Sequence, residues 1–334
     1  MNKMTAPHIR TEATTGKMMI DVLLAGIPLG VFAYVNYGMR PVYILLLTMA
    51  TAILCEAVCL LMRRRPLRGA LDGTAAVTGL LIGLMMSPMV EYWVPMAGAA
   101  FAIFVVKAPF GGTGRNVFNP AAAAVALLTF FFTDKIFTYP AISNVTLPID
   151  PIIPEGTVIT EASLASQLQT GGTPLEAPLH LLLGDFAGPI GTTAALVLLA
   201  FIGYLLVRRT ISGWVVLPYL GTCLAITWLF PLSGMNSTYN LLSQMLTGYV
   251  LFAGVFLIND PVTAPRFWLG RLFYGVSSAI LIMVMQRIGR FETGTCYAIL
   301  LMNAISPIID RWSWHGWYHI KRRLRIRKEV KAYE

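Results

Sequence analysis

Residues 42–62 read VYILLLTMATAILCEAVCLLM, and this stretch decides the class of fold. A run of about 20 apolar residues is long enough to cross a bilayer as an α-helix. Its one charged residue is Glu56, which stands between Cys55 and Cys59. A carboxylate at membrane depth is costly, so by default it indicates ion or proton handling. The alternative is a buried, neutral acid that bonds to neighbouring helices, and the sequence leaves both interpretations open.

Further apolar runs lie on both sides of this stretch. The chain of 334 residues is 56% hydrophobic and only 12% charged, whereas soluble domains carry about 25% charged residues. The composition therefore predicts an all-α polytopic membrane protein with about ten transmembrane helices. Besides 42–62, the predicted spans are 19–37, 71–88, 92–107, 118–133, 190–207, 214–230, 243–259, 270–286 and 293–309.

The basic residues are distributed very unevenly between the two sides of these spans. Lys and Arg prefer cytoplasmic segments, and with the N-terminus inside, all but four of the 25 basic residues are cytoplasmic. This predicts that both termini are cytoplasmic and that the long polar segment 134–189 is exported. Because the basic residues are concentrated in the predicted cytoplasmic segments, the net charge of +9 predicts a lipid bilayer and no nucleic acid as partner. The four exceptions are Arg40, Lys135, Arg287 and Arg290.

The polar segment 134–189 divides the chain into two halves of five spans each, residues 1–133 and 190–309. A basic cytoplasmic tail, 310–334, follows the second half, and its tryptophans and charges predict a helix at the membrane surface. Residues 110–114, FGGTG, are weakly similar to residues 291–295, FETGT. Because an odd number of spans inverts the second half, this layout predicts two inverted five-helix halves joined by one long extracytoplasmic loop.

The four cysteines indicate no metal site. They are scattered through apolar segments, and neither a CxxC pair nor a Cys/His zinc spacing occurs. Such pairs and spacings are what self-contained zinc sites need. The sequence therefore predicts no metal ligands.

A stretch in the exported segment, Thr170-Gly171-Gly172-Thr173-Pro174-Leu175, exposes a hydroxyl. Two glycines leave the backbone uncrowded, and the proline cannot continue a helix from the residues before it. The hydroxyl of Thr173 is therefore predicted to lie outside regular structure, where a large group can reach it. The alternative is an ordinary turn built from turn-forming residues.

Two irregular segments border the membrane spans. Residues 110–120 read FGGTGRNVFNP and place the amides of Asn116 and Asn119 at the start of a helix. Broken elements of this kind persist at membrane depth where they line a cavity or a ligand. Residues 259–266 read NDPVTAPR, which fits either a helix stop or a contact with a cofactor or partner.

Together these motifs resemble one family, the D subunit of the Rnf electron-transport complex. The B subunit of the sodium-pumping NADH:quinone reductase is its close relative. The short N-terminal lead is similar to the Rnf protein, since the quinone-reductase protein carries a longer extension. The matching pieces run over nearly the whole chain in consistent order, and they are residues 6–10, 110–120, 170–175, 260–265 and 303–311.

The resemblance implies a flavin-carrying subunit of a ferredoxin:NAD oxidoreductase complex in the bacterial inner membrane, which couples electron transfer to sodium or proton translocation. Its partners would be the other membrane and peripheral Rnf subunits. In the family, a flavin transferase attaches FMN through its phosphate to a threonine in a motif like Asp-Gly-x-Ser/Thr-Gly-Ala-Thr. That threonine is Thr173 here, with Gln167 in place of the acid and Gly172 in place of the alanine.

The resemblance also implies a noncovalent riboflavin deeper in the helix bundle. Asn116 and Asn119 are the candidate contacts, because amides can pair with a flavin edge that both donates and accepts hydrogen bonds. Glu56 is the candidate residue for ion coupling. No side chain of the chain itself is expected to be catalytic, since the flavins carry the electrons.

Two other functions fit part of the sequence. One is a component like the B subunit of the quinone reductase. The other is a solute channel or transporter without a redox role, which the inverted halves and Glu56 would suit. The transporter interpretation leaves residues 170–175 unexplained, and only the redox interpretation expects a covalent flavin.

Overall fold

The computed structural model describes residues 15–141, 145–153, 156–169, 178–232, 237–288 and 293–333, with residues 237, 293 and 319–333 described by their backbone alone. Most of this chain is helical. The helices are α1 (Thr15–Tyr37), α2 (Met39–Met62), α3 (Thr74–Leu84), α4 (Trp93–Phe101), α5 (Pro120–Phe131), α6 (Thr133–Ile136), α7 (Leu164–Gln169), α8 (Pro178–Leu183), α9 (Ala195–Val207), α10 (Gly213–Leu229), α11 (Ser237–Leu246), α12 (Val250–Phe252), α13 (Trp268–Ile288) and α14 (Thr293–Tyr333). A 3-10 turn precedes α3, and π-helical turns extend α4 and α12; they are Leu67–Leu71, Ala102–Lys107 and Ala253–Leu257.

Three of the described helices, α1, α2 and α13, are long and apolar enough to cross a membrane. The pair α11 and α12, which is bent by 58°, makes a fourth if it counts as one span. The chain is therefore a multi-pass membrane protein. Helices occupy all ten predicted positions, but the count of ten crossings stays a prediction. The reason is that α3, α4 with its π turn, α5, α9 and α10 have 10–17 residues, whereas a crossing needs about 20.

The third predicted span ends earlier than expected, and the sixth begins later. The backbone N–H groups of Ile190 and Gly191 donate to the carbonyls of Met86 and Leu84, at 3.0 and 2.7 Å. This turn therefore caps the end of α3, and α9 begins only after it. Gly191 permits the close approach, because a Cβ there would lie 2.7 Å from the Leu84 side chain.

The eighth predicted span, 243–259, is broken near its start, and its first helix begins six residues earlier, at Ser237. Gly248 lies between α11 and α12 with φ at +67°, a left-handed conformation that glycine adopts without steric cost. Next to it, the hydroxyl of Tyr249 donates to the carbonyl of Met85 at 2.7 Å. The break in the second half therefore contacts the end of α3 in the first half.

The two halves contact each other through helices that have the same position in the order of predicted spans in each half. The first helix α1 contacts α9, and the fifth helix α5 contacts α14. The hydroxyl of Tyr297 on α14 donates to the carbonyl of Ala126 on α5 at 2.9 Å. Such pairing is consistent with a two-fold relation between the halves. The inverted repeat itself stays a prediction, since residues 291 and 292, which belong to the similar segment 291–295, lie outside the described chain.

The segments that the distribution of Lys and Arg predicts to be cytoplasmic lie together at one end of the helix bundle. At this end, here named the inner end, Arg63 donates to the carbonyl of Ala108. Arg271 donates there to the hydroxyl of Ser212 at 3.3 Å. The opposite end, here named the outer end, holds Arg40 and the described parts of segment 134–189.

Segment 134–189 contains short elements of its own. Strands β1 (Tyr139–Pro140) and β2 (Thr160–Glu161) pair antiparallel, with Tyr139 opposite Glu161. The prediction of an all-α chain misses this pair. Helices α7 and α8 both pack against α11, and residues 170–177 between them lie outside the described chain.

The basic tail continues the last helix instead of forming a separate one. Helix α14 runs for 41 residues with Pro307 inside it. At 1.5 Å per residue its length is about 60 Å, and a whole bilayer is only about 45 Å thick. If the N-terminal part of α14 crosses the bilayer, its C-terminal part extends out of the membrane. The location of the tail at the membrane surface stays a prediction.

Candidate functional site

A cavity of about 360 Å³ with both polar and apolar lining lies between the two halves at the inner end. The first half contributes Asn116 and Asn119, and the second half contributes Asp260. Both irregular motifs of the sequence, residues 110–120 and 259–266, therefore line the same space. Its volume falls within the range of roughly 300–1,000 Å³ that small-molecule sites have.

The glycines of the first motif let the chain reverse beside this cavity. Gly111, Gly112 and Gly114 have φ angles of +114°, +92° and +83°, a region that other residues rarely adopt. Between them, the hydroxyl of Thr113 donates to Asp72 Oδ2 at 3.1 Å. The loop is thereby fixed to the turn that precedes α3.

Asn119 caps a helix and joins the two halves. Its Oδ1 accepts the backbone N–H groups of Ala121 and Ala122 at 3.0 and 3.2 Å, which begins α5. Its Nδ2 donates to the carbonyl of Leu257, in the π turn of the second half, at 3.1 Å. Both acceptor positions of this amide are thereby used, so one N–H remains for a ligand.

Asn116 lies at the boundary between the two halves. Its Nδ2 donates to the carbonyl of Phe118 at 3.1 Å, and its amide makes a polar contact with the Asp260 carboxylate. Asp260 also accepts the backbone N–H of Val262 at 3.0 Å. Burial raises the pKa of the Asp260 carboxyl above its ordinary value, although these hydrogen bonds oppose the shift.

Glu56 forms an ion pair with Lys107, the last residue of the π turn after α4. Lys107 Nζ lies 3.0 Å from Glu56 Oε2, and only 4% and 8% of the two side chains are exposed. The same ammonium donates to Thr74 Oγ1 at 2.7 Å. Thr74 Oγ1 in turn donates to Asp72 Oδ1 at 2.6 Å. The acid predicted at membrane depth therefore has a charged partner and belongs to a chain of polar contacts that leads to the inner end.

Sequence reasoning did not identify Lys107, Thr74 or Asp72 as members of this site. Lys107 counted only as one of the cytoplasmic bases, although it directly follows the apolar run 101–106. A lysine that ends an apolar helix was the one available signal. Nothing in the turn at residues 72–74 pointed to the cavity.

Thr173, the predicted attachment residue, lies outside the described chain. The structure describes the segments that flank it, α7 and α8. Gln167 on α7 stands where the family motif has an acid, and its Nε2 donates to Glu161 Oε1 at 3.2 Å. This contact holds the helix before Thr173 against strand β2.

Residues 2–317 match the model of the NQR2, RnfD, RnfE family. The chain belongs to this family. The match includes the cavity, the Glu56–Lys107 pair and both halves of the bundle. It confirms the family that the sequence motifs resemble.

Relatives match over most of their own length as well. The D subunit of an ion-translocating oxidoreductase complex from Stutzerimonas stutzeri is 32% identical over 90% of this chain and 91% of the relative. The D subunit of a Na(+)-translocating ferredoxin:NAD(+) oxidoreductase complex from Acetobacterium woodii is 30% identical, over 98% and 97%. The D subunit of a proton-translocating ferredoxin:NAD(+) oxidoreductase complex from Clostridium ljungdahlii is 27% identical, over 92% and 93%.

Proposed function

We propose that this chain is the membrane-embedded D subunit of a ferredoxin:NAD oxidoreductase complex that couples electron transfer to ion translocation. The observation that carries this proposal is the similarity to D subunits over at least 90% of both chains. Its partners are then the other membrane and peripheral subunits of the complex. One of these relatives is named for sodium and another for protons, so the similarity supports ion translocation without selecting the ion.

In this proposal the chain crosses the bacterial inner membrane ten times, in two inverted halves with both termini cytoplasmic. The charge asymmetry and the gathering of the two sets of segments at opposite bundle ends support this orientation. Reporter fusions near residue 160 are expected to be exported, and fusions after Arg65 and after Lys328 to stay in the cytoplasm. A cytoplasmic fusion at residue 160 would overturn the orientation.

The outer segment is proposed to carry FMN as a phosphoester of Thr173, made by a flavin transferase. The resemblance of residues 170–175 to the family motif supports this assignment. When bound, the flavin supplies the electron-carrying chemistry. The role of the chain is to position it at the outer end, where α7 and α8 pack against α11.

Thr173→Ala tests the attachment, with Thr170→Ala as the matched control three residues away. Both variants are produced in the complete complex in a host that has a flavin transferase. Thr173→Ala is expected to abolish the fluorescence that survives denaturing electrophoresis, and Thr170→Ala to retain it. Intact mass checks the FMN addition independently. Fluorescence that persists in Thr173→Ala contradicts the assignment.

The cavity is proposed to hold the noncovalent riboflavin. Its volume, its position between the halves and its amide, carboxylate and ammonium groups fit a polar ring system. Asn116→Leu is expected to lower extractable flavin and to leave the covalent flavin in place. Asn119→Leu is a poorer test, because it also removes the α5 cap and the bond to Leu257. An unchanged amount of extractable flavin in Asn116→Leu would show that residues 110–120 do not bind riboflavin and only lead into α5.

Glu56 is proposed to take part in ion coupling. Its almost fully buried ion pair beside the cavity supports this role. Glu56→Gln is expected to retain assembly and flavin content while it lowers the number of ions moved per electron. An unchanged ion-to-electron ratio in proteoliposomes would make Glu56 a structural acid.

A further inference from the structure

Lys107 stands between the cavity and Glu56. Among the described residues, Lys107, Thr74 and Thr113 line the cavity, whereas Glu56 does not line it and contacts Lys107 from the other side. Lys107 lines the cavity, and its ammonium lies 3.0 Å from Glu56 Oε2. A cation that moves from the cavity to Glu56 therefore meets another cation already in its place.

The charges of this group leave room for one more cation. Glu56 and Asp72 are two carboxylates, and Lys107 is a single ammonium linked to both, directly to Glu56 and through Thr74 to Asp72. The group therefore carries one net negative charge, which one monovalent cation neutralises. Arg266 and Asp260 also line the cavity. Among the described residues, the ionisable groups near the pair include the exposed Arg63 and, on α2, Cys55 and Cys59. Arg68 lies in the 3-10 turn before Asp72, and Lys17 lies in the first turn of α1.

A second position for the ammonium is one hydroxyl away. Thr74 Oγ1 accepts from Lys107 Nζ at 2.7 Å and donates to Asp72 Oδ1 at 2.6 Å. A lysine ammonium is a compact charge on a flexible stem with three donors. It can therefore leave Glu56 for Asp72 and keep a hydrogen-bond partner throughout.

We propose that Lys107 is a tethered counter-cation that occupies the place of the translocated cation at Glu56 and moves to Asp72 when that cation arrives from the cavity. The inference rests on the proposed role of Glu56. No covalent bond forms or breaks, and the charge balances. The group passes from one net negative charge to neutrality when the cation binds, and returns when the cation leaves and the ammonium moves back.

The test uses the whole complex in proteoliposomes, with electron transfer and ion uptake measured together. Sodium chloride is varied at fixed pH in one arm, and pH is varied at low sodium in the other, which separates a sodium-coupled from a proton-coupled complex. In Lys107→Met the competing ammonium is absent. The concentration of the coupling cation at half-maximal rate is therefore expected to fall about tenfold, and the ions moved per electron to fall at least about twofold.

A matched control exists at the outer end, where Lys135 Nζ pairs with Glu91 Oε1 at 2.8 Å on the surface. Lys135→Met is expected to change neither the half-saturating concentration nor the ion-to-electron ratio. The double variant Glu56→Gln/Lys107→Met removes both charges of the buried pair. It is expected to assemble like the original complex and still to translocate poorly.

The outcomes separate this inference from the proposed function. An unchanged ion-to-electron ratio in Glu56→Gln rejects the role of Glu56. A lowered ratio in Glu56→Gln, with both parameters unchanged in Lys107→Met, rejects the counter-cation alone. Full translocation by the double variant would show that the pair is only structural. If Lys107→Met fails to assemble, Lys107→Gln, which keeps a hydrogen-bonding end without the charge, replaces it in the half-saturation measurement, and an unchanged half-saturating concentration rejects the counter-cation.

Discussion

The two ends of the helix bundle each bury one cation within the described chain, and they hold it differently. At the outer end, Arg40 is fully buried and its guanidinium lies 4.8 Å from the ring centre of Tyr92. At the inner end, Lys107 is held by one carboxylate and one hydroxyl. The guanidinium nitrogens of Arg40 lie within hydrogen-bond distance of six backbone carbonyls, which share its five N–H donors; they are those of Pro88, Met89, Val90, Pro148, Asp150 and Pro151.

The difference shows which cation is fixed and which is exchangeable. The planar guanidinium has five N–H donors in a rigid fork, and the backbone carbonyls around it neither titrate nor rotate away. Arg40 therefore clamps the start of α2, the loop after α3 and the outer segment 148–151 together. Both partners of Lys107 are side chains, and one of them leads to a second carboxylate.

Arg40→Met tests the fixed end and is expected to have the largest effect on stability. Removing the guanidinium leaves several buried carbonyls without a donor, each at about 1–3 kcal/mol. A loss of at least about 3 kcal/mol is expected after relaxation. Thermal unfolding of the purified complex in detergent measures it. Asp150→Asn is the control and should cost much less, because Arg40 binds the backbone oxygen of that residue and its carboxylate adds only an electrostatic contact. A wild-type melting temperature for Arg40→Met would contradict the clamp.

Lys107→Met is expected to cost less, about 3 kcal/mol, the lower end of the range for breaking a buried ion pair, and a second substitution should restore the stability. The loss arises because Glu56 is left buried without its partner, and removing one partner of a buried pair is destabilising. Adding Glu56→Gln should restore most of the melting temperature, since both charges are then absent. Failure of this rescue would show that the pair is not the source of the loss. No single substitution of a carboxyl residue should restore the melting temperature of Arg40→Met. This difference distinguishes Arg40 from Lys107 experimentally.

Asp21→Asn tests an ion pair of which only the acid is buried, and it should have a smaller effect than either. Asp21 on α1 accepts from Arg208 Nη2 at 2.9 Å and from Thr210 Oγ1 at 2.7 Å, and so joins the two halves. The acid is buried, but 51% of the Arg208 side chain is exposed. Solvent screening should therefore limit the loss to about 1 kcal/mol. The melting temperature at low salt is the readout, and a loss as large as that of Arg40→Met would contradict the screening argument.

Lys135→Met should have the smallest effect, and the effect should depend on pH. The hydrogen bond from Lys135 holds the pKa of the Glu91 carboxyl below its ordinary 4.5, with burial opposing the shift and Trp93 adding to it. Because the folded pKa is lowered, the pair stabilises the fold above the ordinary value and loses this contribution as the pH falls through the lowered one. Both side chains are partly exposed, so about 0.5 kcal/mol is expected at pH 7. Equal differences between variant and wild type at pH 7 and pH 3 would contradict this origin.

The sequence by itself determined the long membrane helices and the motifs that line the cavity. Predicted spans 19–37, 42–62 and 270–286 lie within α1, α2 and α13. In lipid a chain must satisfy its backbone hydrogen bonds internally, so a long apolar run fixes a helix wherever it packs. The irregular residues around Asn116 and Asp260 were also visible, because glycines and prolines interrupt those runs.

Tertiary structure alone decided which of these residues meet. Glu56 and Lys107 belong to different helices, and neither has a local pattern that names the other. Their contact depends on how α2 packs against the π turn after α4. The early end of α3 likewise comes from Ile190 and Gly191, which are distant in the chain. Hydrophobicity along the sequence sets where a helix forms, but the angle and rotation at which helices pack set which polar side chains share a cavity.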